Sequence, residues 1–152
     1  MENENRKIPW AETYIDEKEL NEVIDTVKST WVSKGPKVKK FEELIKSKIN
    51  SKHCIATNSG TAALDVALKI LNITAQDEVI IPAMTYIATA NSVLYQHATP
   101  IFADIESKTY TIDPEDVKRK ITNKTKAIIA VDYAGHGSDY QKLREIIGDK
   151  KI

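Results

Sequence analysis

A chain of 152 residues is long enough for one ordinary domain with its own core, and its 22 Lys+Arg against 22 Asp+Glu leave no net charge. That balance argues against a protein that lives on nucleic-acid phosphates, which would carry a basic surplus. The lone Cys54 excludes an intrachain disulfide and a multi-cysteine metal site, while the polar start MENENRK and the absence of any membrane-length apolar run set the expectation of a soluble cytoplasmic protein with no membrane or nucleic-acid partner.

In chain order, the first segment to carry a pattern is Asp16 to Ser29. Leu20, Val23, Ile24 and Val27 recur on one face at helical spacing. The stretch STWVSKGPK interrupts it, with Gly35-Pro36 as punctuation. Val38, Phe41, Leu44, Ile45 and Ile49 then mark a second amphipathic helix. Lys34, Lys37, Lys39 and Lys40 cluster there, read as a solvated helix face or, alternatively, as a source of a pyrophosphate contact.

After Lys52 the pattern changes. Apolar runs start at His53 (HCIAT), Glu78 (EVIIP), Thr99 (TPIFAD) and Ala127 (AIIAVD), with helical stretches at 62–71, 87–96, 114–121 and 139–147. Run starts are roughly 20 to 30 residues apart, the spacing of β-α units that build a parallel sheet. Consecutive rather than alternating apolar positions fit strands covered on both faces. SKTYTIDPEDV reads as an extended excursion, then a helix capped by Asp113 with Pro114 in its first turn. Gly148 reads as a helix stop, and DKKI after it as the lead into a further strand, so the chain is expected to be a fragment with a truncated sheet.

In such a sheet, ligands sit beyond the carboxyl ends of the strands. The turn Asn58-Ser59-Gly60-Thr61 lies at such a place. A helix starting near Thr61 would aim free N–H groups and its positive dipole end at that edge, which suits phosphate. Gly60 would let the backbone approach closely, and Ser59 and Thr61 would add hydroxyls. The competing reading is a serine or threonine N-cap with no ligand. Thr85 and Tyr86, after EVIIP, and Asp132, Tyr133 and Gly135, after AIIAVD, fall on the same edge; Tyr86 could cover a flat ligand or simply pack. His53, His97 and His136 share no metal-ligand spacing, so no metal is expected. His53 and His97 read as structural; His136, on the functional edge, reads as structural or as a substrate contact. Asp104 is expected to cap the turn after its strand, and Cys54 to be a small core residue.

Taken together, WVSKGPKVKKFE, NSGTAALDVAL, DEVIIPAMTYIATANSVLYQHATPIFADI, IDPEDV and TKAIIAVDYAGHGSD resemble, in order, the DegT/StrS family of sugar aminotransferases, fold-type-I pyridoxal-phosphate (PLP) enzymes. The resemblance runs from Ile8 to the end. It implies a three-layer α/β large domain with a mostly parallel sheet, truncated here: 1–50 would be an N-terminal helical segment with a substrate loop, and 51–152 the first part of the PLP-binding domain. It implies that Ser59, Gly60 and Thr61 bind the cofactor phosphate and that Tyr86 stacks on its ring. It also implies that Trp10, Thr30, Trp31, Val32 and Ser33 touch the sugar; for Trp31, plain packing is the alternative. The Schiff-base lysine and the acid that pairs with the ring nitrogen are expected beyond Ile152, so this chain would hold no catalytic residue, and Asp132 is not taken as that acid. The implied reaction moves an amino group from glutamate to a nucleotide-diphosphate-linked 4-keto-6-deoxy sugar, in a homodimer. The alternatives are a PLP-dependent keto-sugar 3-dehydratase of the same family and a non-catalytic truncated module.

Overall fold

The structure is a computed structural model that describes residues 11–152. The chain divides into two compact units, one ending at Ala56 and the other spanning Thr57–Ile152.

In the first unit, α1 (Glu17–Lys28) starts at a complete capping box. The Asp16 carboxylate accepts from the Lys18 N–H at 2.7 Å, and the Glu19 carboxylate accepts from the Asp16 N–H at 2.9 Å. Helix α2 (Pro36–Lys48) starts from Gly35 with Pro36 in its first turn. Lys37 pairs with Glu22 across the two helices, and Lys34 lies 3.9 Å from Glu42. The apolar stripe of α1 that the sequence marks is exposed within this unit, with Val23 and Val27 both open to solvent.

The second unit is a three-layer α/β assembly. Its elements are α3 (Gly60–Ile70), β1 (Glu78–Pro82), α4 (Ala88–Tyr95), β2 (Thr99–Ala103), α5 (Pro114–Lys120), β3 (Thr125–Ile128) and α6 (Tyr140–Ile147). The three strands are parallel in the order β2-β1-β3. Period-two alternation along β1 explains the layers. Val79 and Ile81 face α3 and α4 with Leu68, Ala90 and Val93; Ile80 faces α5 and α6 with Val117 and Leu143. All three β1 side chains are fully buried.

The expected excursion after β2 is a narrow loop closed by an antiparallel bridge between Ile105 and Ile112. Asp113 caps α5 by accepting from the Glu115 N–H at 2.9 Å, with Pro114 in the first turn. Gly148 ends α6 at φ 54°, a left-handed stop that glycine adopts without strain.

Two expectations need correction. The run His53–Thr57 forms no strand, and Ile55 in its middle is 77% exposed. An apolar run has the propensity for a strand but cannot supply the partner, and no described strand hydrogen-bonds to it. The last strand begins at Thr125, two residues before the apolar run, because ladder pairing rather than apolarity sets its limits. A register shift there carries Glu78↔Thr125 to Val79↔Ala127, so Lys126 is the extra residue of a bulge on this strand.

Asp116, buried on α5, ties the layers together. Its carboxylate accepts from the Asp104 N–H at 2.6 Å, just past β2, and lies 2.7 Å from the Lys120 ammonium and 2.9 Å from the Arg119 guanidinium. The Lys120 bond first, then the Asp104 N–H, hold its pKa down at about 2. Replacing Asp116 by Asn is expected to cost about 1 to 2 kcal/mol at pH 7. Because the folded-state pKa is depressed, this stabilisation is complete above the ordinary carboxylate range, about pH 4, and is lost as pH falls through the folded value. Urea midpoints of wild type and Asp116→Asn should therefore differ at pH 7 and converge near pH 2. Equal midpoints at pH 7 would show that the carboxylate contributes nothing.

Candidate functional site

The polar turn before α3 folds as a helix start. Ser59 is the N-cap: its hydroxyl oxygen accepts from the Ala62 N–H at 3.1 Å, and its carbonyl accepts from the Ala63 N–H at 3.1 Å. Among the described residues, the N–H groups of Gly60 and Thr61 donate to no acceptor. A Cβ built on Gly60 meets nothing within 4 Å, so neither packing nor a left-handed backbone asks for glycine here. Among the described residues the turn thus holds two backbone donors without an acceptor, the hydroxyl of Thr61, and open space at the Cβ position of Gly60. Such a set fits a phosphate: donors converge at the positive end of a helix dipole, with space for tetrahedral oxygens. The capping role and an anion role coexist, since the Ser59 oxygen accepts within the chain while its O–H proton stays available.

Tyr86 follows the carboxyl end of β1. The residue is 77% exposed, while its carbonyl accepts from the Thr89 N–H at 2.9 Å, fixing it at the start of α4. Thr85 is tied to Thr89 by a hydroxyl–hydroxyl bond of 2.8 Å and serves this turn. Among the described residues, no hydrogen bond joins Tyr86 to Ser59, Gly60 or Thr61.

The third junction, after β3, is the most tightly built. The Asp132 carboxylate accepts from the Ser138 N–H at 2.9 Å and from the Tyr140 hydroxyl at 2.8 Å. Those two bonds, the Ser138 N–H first, hold its carboxyl below the usual carboxylate range. Partial burial, and then the Asp132 carboxylate, push the Tyr140 phenol above its usual value. Ala134 sits at φ 51° in the turn this network closes. The Tyr133 ring packs on Tyr110 with centroids 6.0 Å apart, tilted by 50°. Sequence reasoning missed this pair. The one hint was that both tyrosines follow strand ends, since residues after the carboxyl ends of parallel strands share one edge.

Of the segment expected to meet substrate, Trp10 lies outside the described residues. Trp31, Val32 and Ser33 line one pocket between α1 and α2 together with Asp25 and Lys37; Thr30 is beside it but does not line it. Trp31 and Val32 are exposed. His53, His97 and His136 are all exposed, and Cys54 is half-buried rather than deep in the core. The Asp104 carboxylate accepts from the Ile105 N–H at 2.8 Å and caps the turn after its strand. No helix among the described residues is long and apolar enough to cross a membrane.

With this geometry in hand, comparison with known proteins identifies the chain's class. It belongs to the DegT/DnrJ/EryC1/StrS aminotransferase family, whose pattern matches residues 13–152. It is 40% identical over 140 residues to GDP-perosamine synthase of Vibrio cholerae, covering 91% of this chain and 38% of that protein. Among solved structures, an aminotransferase from Psychrobacter cryohalolentis superposes with a TM-score of 0.87 at 36% identity, covering 95% of this chain and 36% of the other. Escherichia coli GDP-4-keto-6-deoxy-D-mannose-3-dehydratase with bound hydrated PLP gives a TM-score of 0.87 at 27% identity, covering 96% and 39%. The fold is therefore the three-layer α/β architecture that the resemblance implied. The chain spans 37% to 40% of the length of curated relatives such as the synthase.

Removing one donor tests the Asp132 network. In Tyr140→Phe the Asp132 pKa should rise toward the ordinary carboxylate value, because one of the two bonds that favour its charged form is gone. Carbon-detected NMR titration of the carboxyl groups measures it; an unmoved Asp132 would assign the depression to Ser138 alone.

Proposed function

We propose that the full-length protein uses PLP to transfer an amino group from glutamate to a nucleotide-diphosphate-linked 4-keto-6-deoxy sugar. The observation that carries this is the start of α3 in a member of this family: among the described residues, two N–H groups without an acceptor, flanking hydroxyls, and open space at the Cβ position of a glycine that neither packing nor its backbone dihedrals require. In this reading Gly60 and Thr61 donate their N–H groups to the cofactor phosphate. Ser59 and Thr61 add hydroxyl donors, and the helix dipole favours the phosphate charge. Tyr86 lays its exposed ring on one face of the cofactor. The bound cofactor supplies an electron sink for the carbon that loses its proton. Thr30, Trp31, Val32 and Ser33, with Trp10, contact the sugar nucleotide and orient its keto carbon. The lysine that anchors the cofactor and moves the proton, and the acid that pairs with the ring nitrogen, belong in this reading to the rest of the protein. The enzyme would work in the cytoplasm as a homodimer.

A second reading, PLP-dependent 3-dehydration of the same class of substrate, is favoured by the likeness to the E. coli dehydratase. The two diverge in nitrogen bookkeeping. Full-length protein incubated with PLP, a GDP-linked 4-keto-6-deoxy sugar and 15N-glutamate should give a 15N-labelled amino sugar and one equivalent of 2-oxoglutarate. Loss of water with no label incorporated would select the dehydratase, and no conversion of the sugar would refute both.

Two substitutions test the cofactor contacts. Gly60→Val should keep the fold by circular dichroism, since its side chain enters open space, yet weaken PLP binding roughly tenfold or more by occupying the phosphate's place. Tyr86→Ala should weaken it several-fold, as stacking of this kind is worth about 1 kcal/mol. If both variants retain PLP like wild type after dialysis, judged by absorbance, the phosphate and ring contacts lie elsewhere.

A further inference from the structure

The turn between α1 and α2 carries two features that cofactor binding leaves unused. The first is strain. Thr30 is β-branched yet sits at φ 63°, a left-handed conformation such residues avoid. The Val32 N–H folds back onto the Thr30 carbonyl at 3.1 Å, and the Trp31 N–H donates to the Ser29 hydroxyl at 3.2 Å. Strain of this kind persists where the surroundings hold a residue in a set place. Here it delivers the Trp31 side chain to the wall of an open pocket of about 330 Å³ that is also lined by Asp25, Val32, Ser33 and Lys37.

The second feature is Gly35. Its φ of −145° is extended backbone open to any residue, so glycine is not there for its dihedral freedom. It is also the N-cap of α2, where serine, asparagine or aspartate would hold the helix better, and it makes no side-chain cap. What keeps a side chain out is Trp31. A Cβ at position 35 would lie 3.1 Å from Trp31 Cε3, 3.2 Å from its Cβ and 3.5 Å from its Cδ2. Turning the indole relieves the first contact. The second involves the stem of the side chain, so relief requires Trp31 itself to shift. Trp31 is 58% exposed, so solvent lies beside it to receive a shifted ring, and the consequence of a side chain at 35 is a displaced ring rather than an unfolded helix.

We propose that Gly35 is a positioning residue whose missing side chain seats the Trp31 indole on the pocket wall, where the ring meets the nucleotide sugar. The proposal rests on the reading above in which Trp31 contacts that substrate. It gives the glycine a role that neither helix capping nor backbone freedom explains.

The test uses full-length protein with 5-fluorotryptophan incorporated, the Trp31 resonance being identified by its loss in Trp31→Phe. Gly35→Ala and Gly35→Ser both add the intruding Cβ, but serine improves the helix cap that alanine weakens. Both variants should move the Trp31 resonance. Both should also weaken binding of GDP or UDP, titrated on that resonance, by roughly three- to tenfold, with KM for the keto-sugar nucleotide rising in step and kcat little changed. In a Trp31→Ala background, adding Gly35→Ser should change KM no further, because the ring whose displacement weakens binding is gone even though the Cβ of residue 31 remains. A role in capping alone would instead leave Gly35→Ser like wild type and make Gly35→Ala equally harmful in both backgrounds. That pattern, an unmoved Trp31 resonance, or a wild-type resonance that neither nucleotide shifts, would overturn the proposal. Nucleotide binding that follows the expected pattern without turnover of any keto sugar would instead refute the proposed reaction and leave the assignment of Gly35 standing.

Discussion

Everything in the second unit hangs on the burial of β1. Its three central side chains are fully buried, and its two flanks pair with β2 on one side and β3 on the other. A strand in that position must satisfy its backbone through two ladders and both faces through two helix layers. Val79 and Ile81 collect α3 and α4, while Ile80 collects α5 and α6. A one-residue slip would exchange the two faces and break both clusters at once. The register of β1 therefore sets which loops leave the carboxyl edge of the sheet and where they emerge.

Polar contacts then fix those loops with greater precision than apolar packing alone provides. Asp116 grips the backbone just past β2, and Asp132 grips the turn past β3 through Ser138 and Tyr140. Gln96 donates to Asp65 at 2.6 Å, tying the end of α4 to the middle of α3. The start of α3 is treated differently. Its Ser59 cap satisfies one donor and leaves two with no acceptor among the described residues, over space the chain does not fill. The start of α4 likewise lacks a side-chain cap, so what sets the start of α3 apart is its glycine with open space at the Cβ position, where the reading proposed above puts a group from outside. The same contrast holds in the first unit, where Thr30 and Gly35 spend backbone strain and a missing side chain on the position of a single indole.

Much of this was legible in the sequence because it is local. The helix starts at Asp16, Ser59 and Asp113 need only a short polar side chain followed by free N–H groups; the Asp113 cap forms as read, Ser59 takes the capping role that is the competing reading of its turn, and Asp16 opens the helix segment read from it. The strands EVIIP and TPIFA carry enough β-branched and apolar residues to be recognised without partners. HCIAT carries a similar signal and fails. What separates it from EVIIP is a neighbouring strand to bond with, and no short window contains that information. The Tyr110–Tyr133 stack and the Asp132–Tyr140 bond were illegible for a related reason: each joins residues whose nearness depends on how the loops close beyond the sheet.

The sequence by itself determined the alternation of helices and strands, the caps, and the family to which the chain belongs, since these follow from residue order and nearest-neighbour chemistry. Only the tertiary structure decided which donors stay free and which side chains are forbidden. That Gly60 faces open space while Gly35 faces an indole could not be read from two glycines in two turns. The difference lies in which atoms the fold brings to within about 4 Å, the range at which van der Waals contact excludes a methyl group.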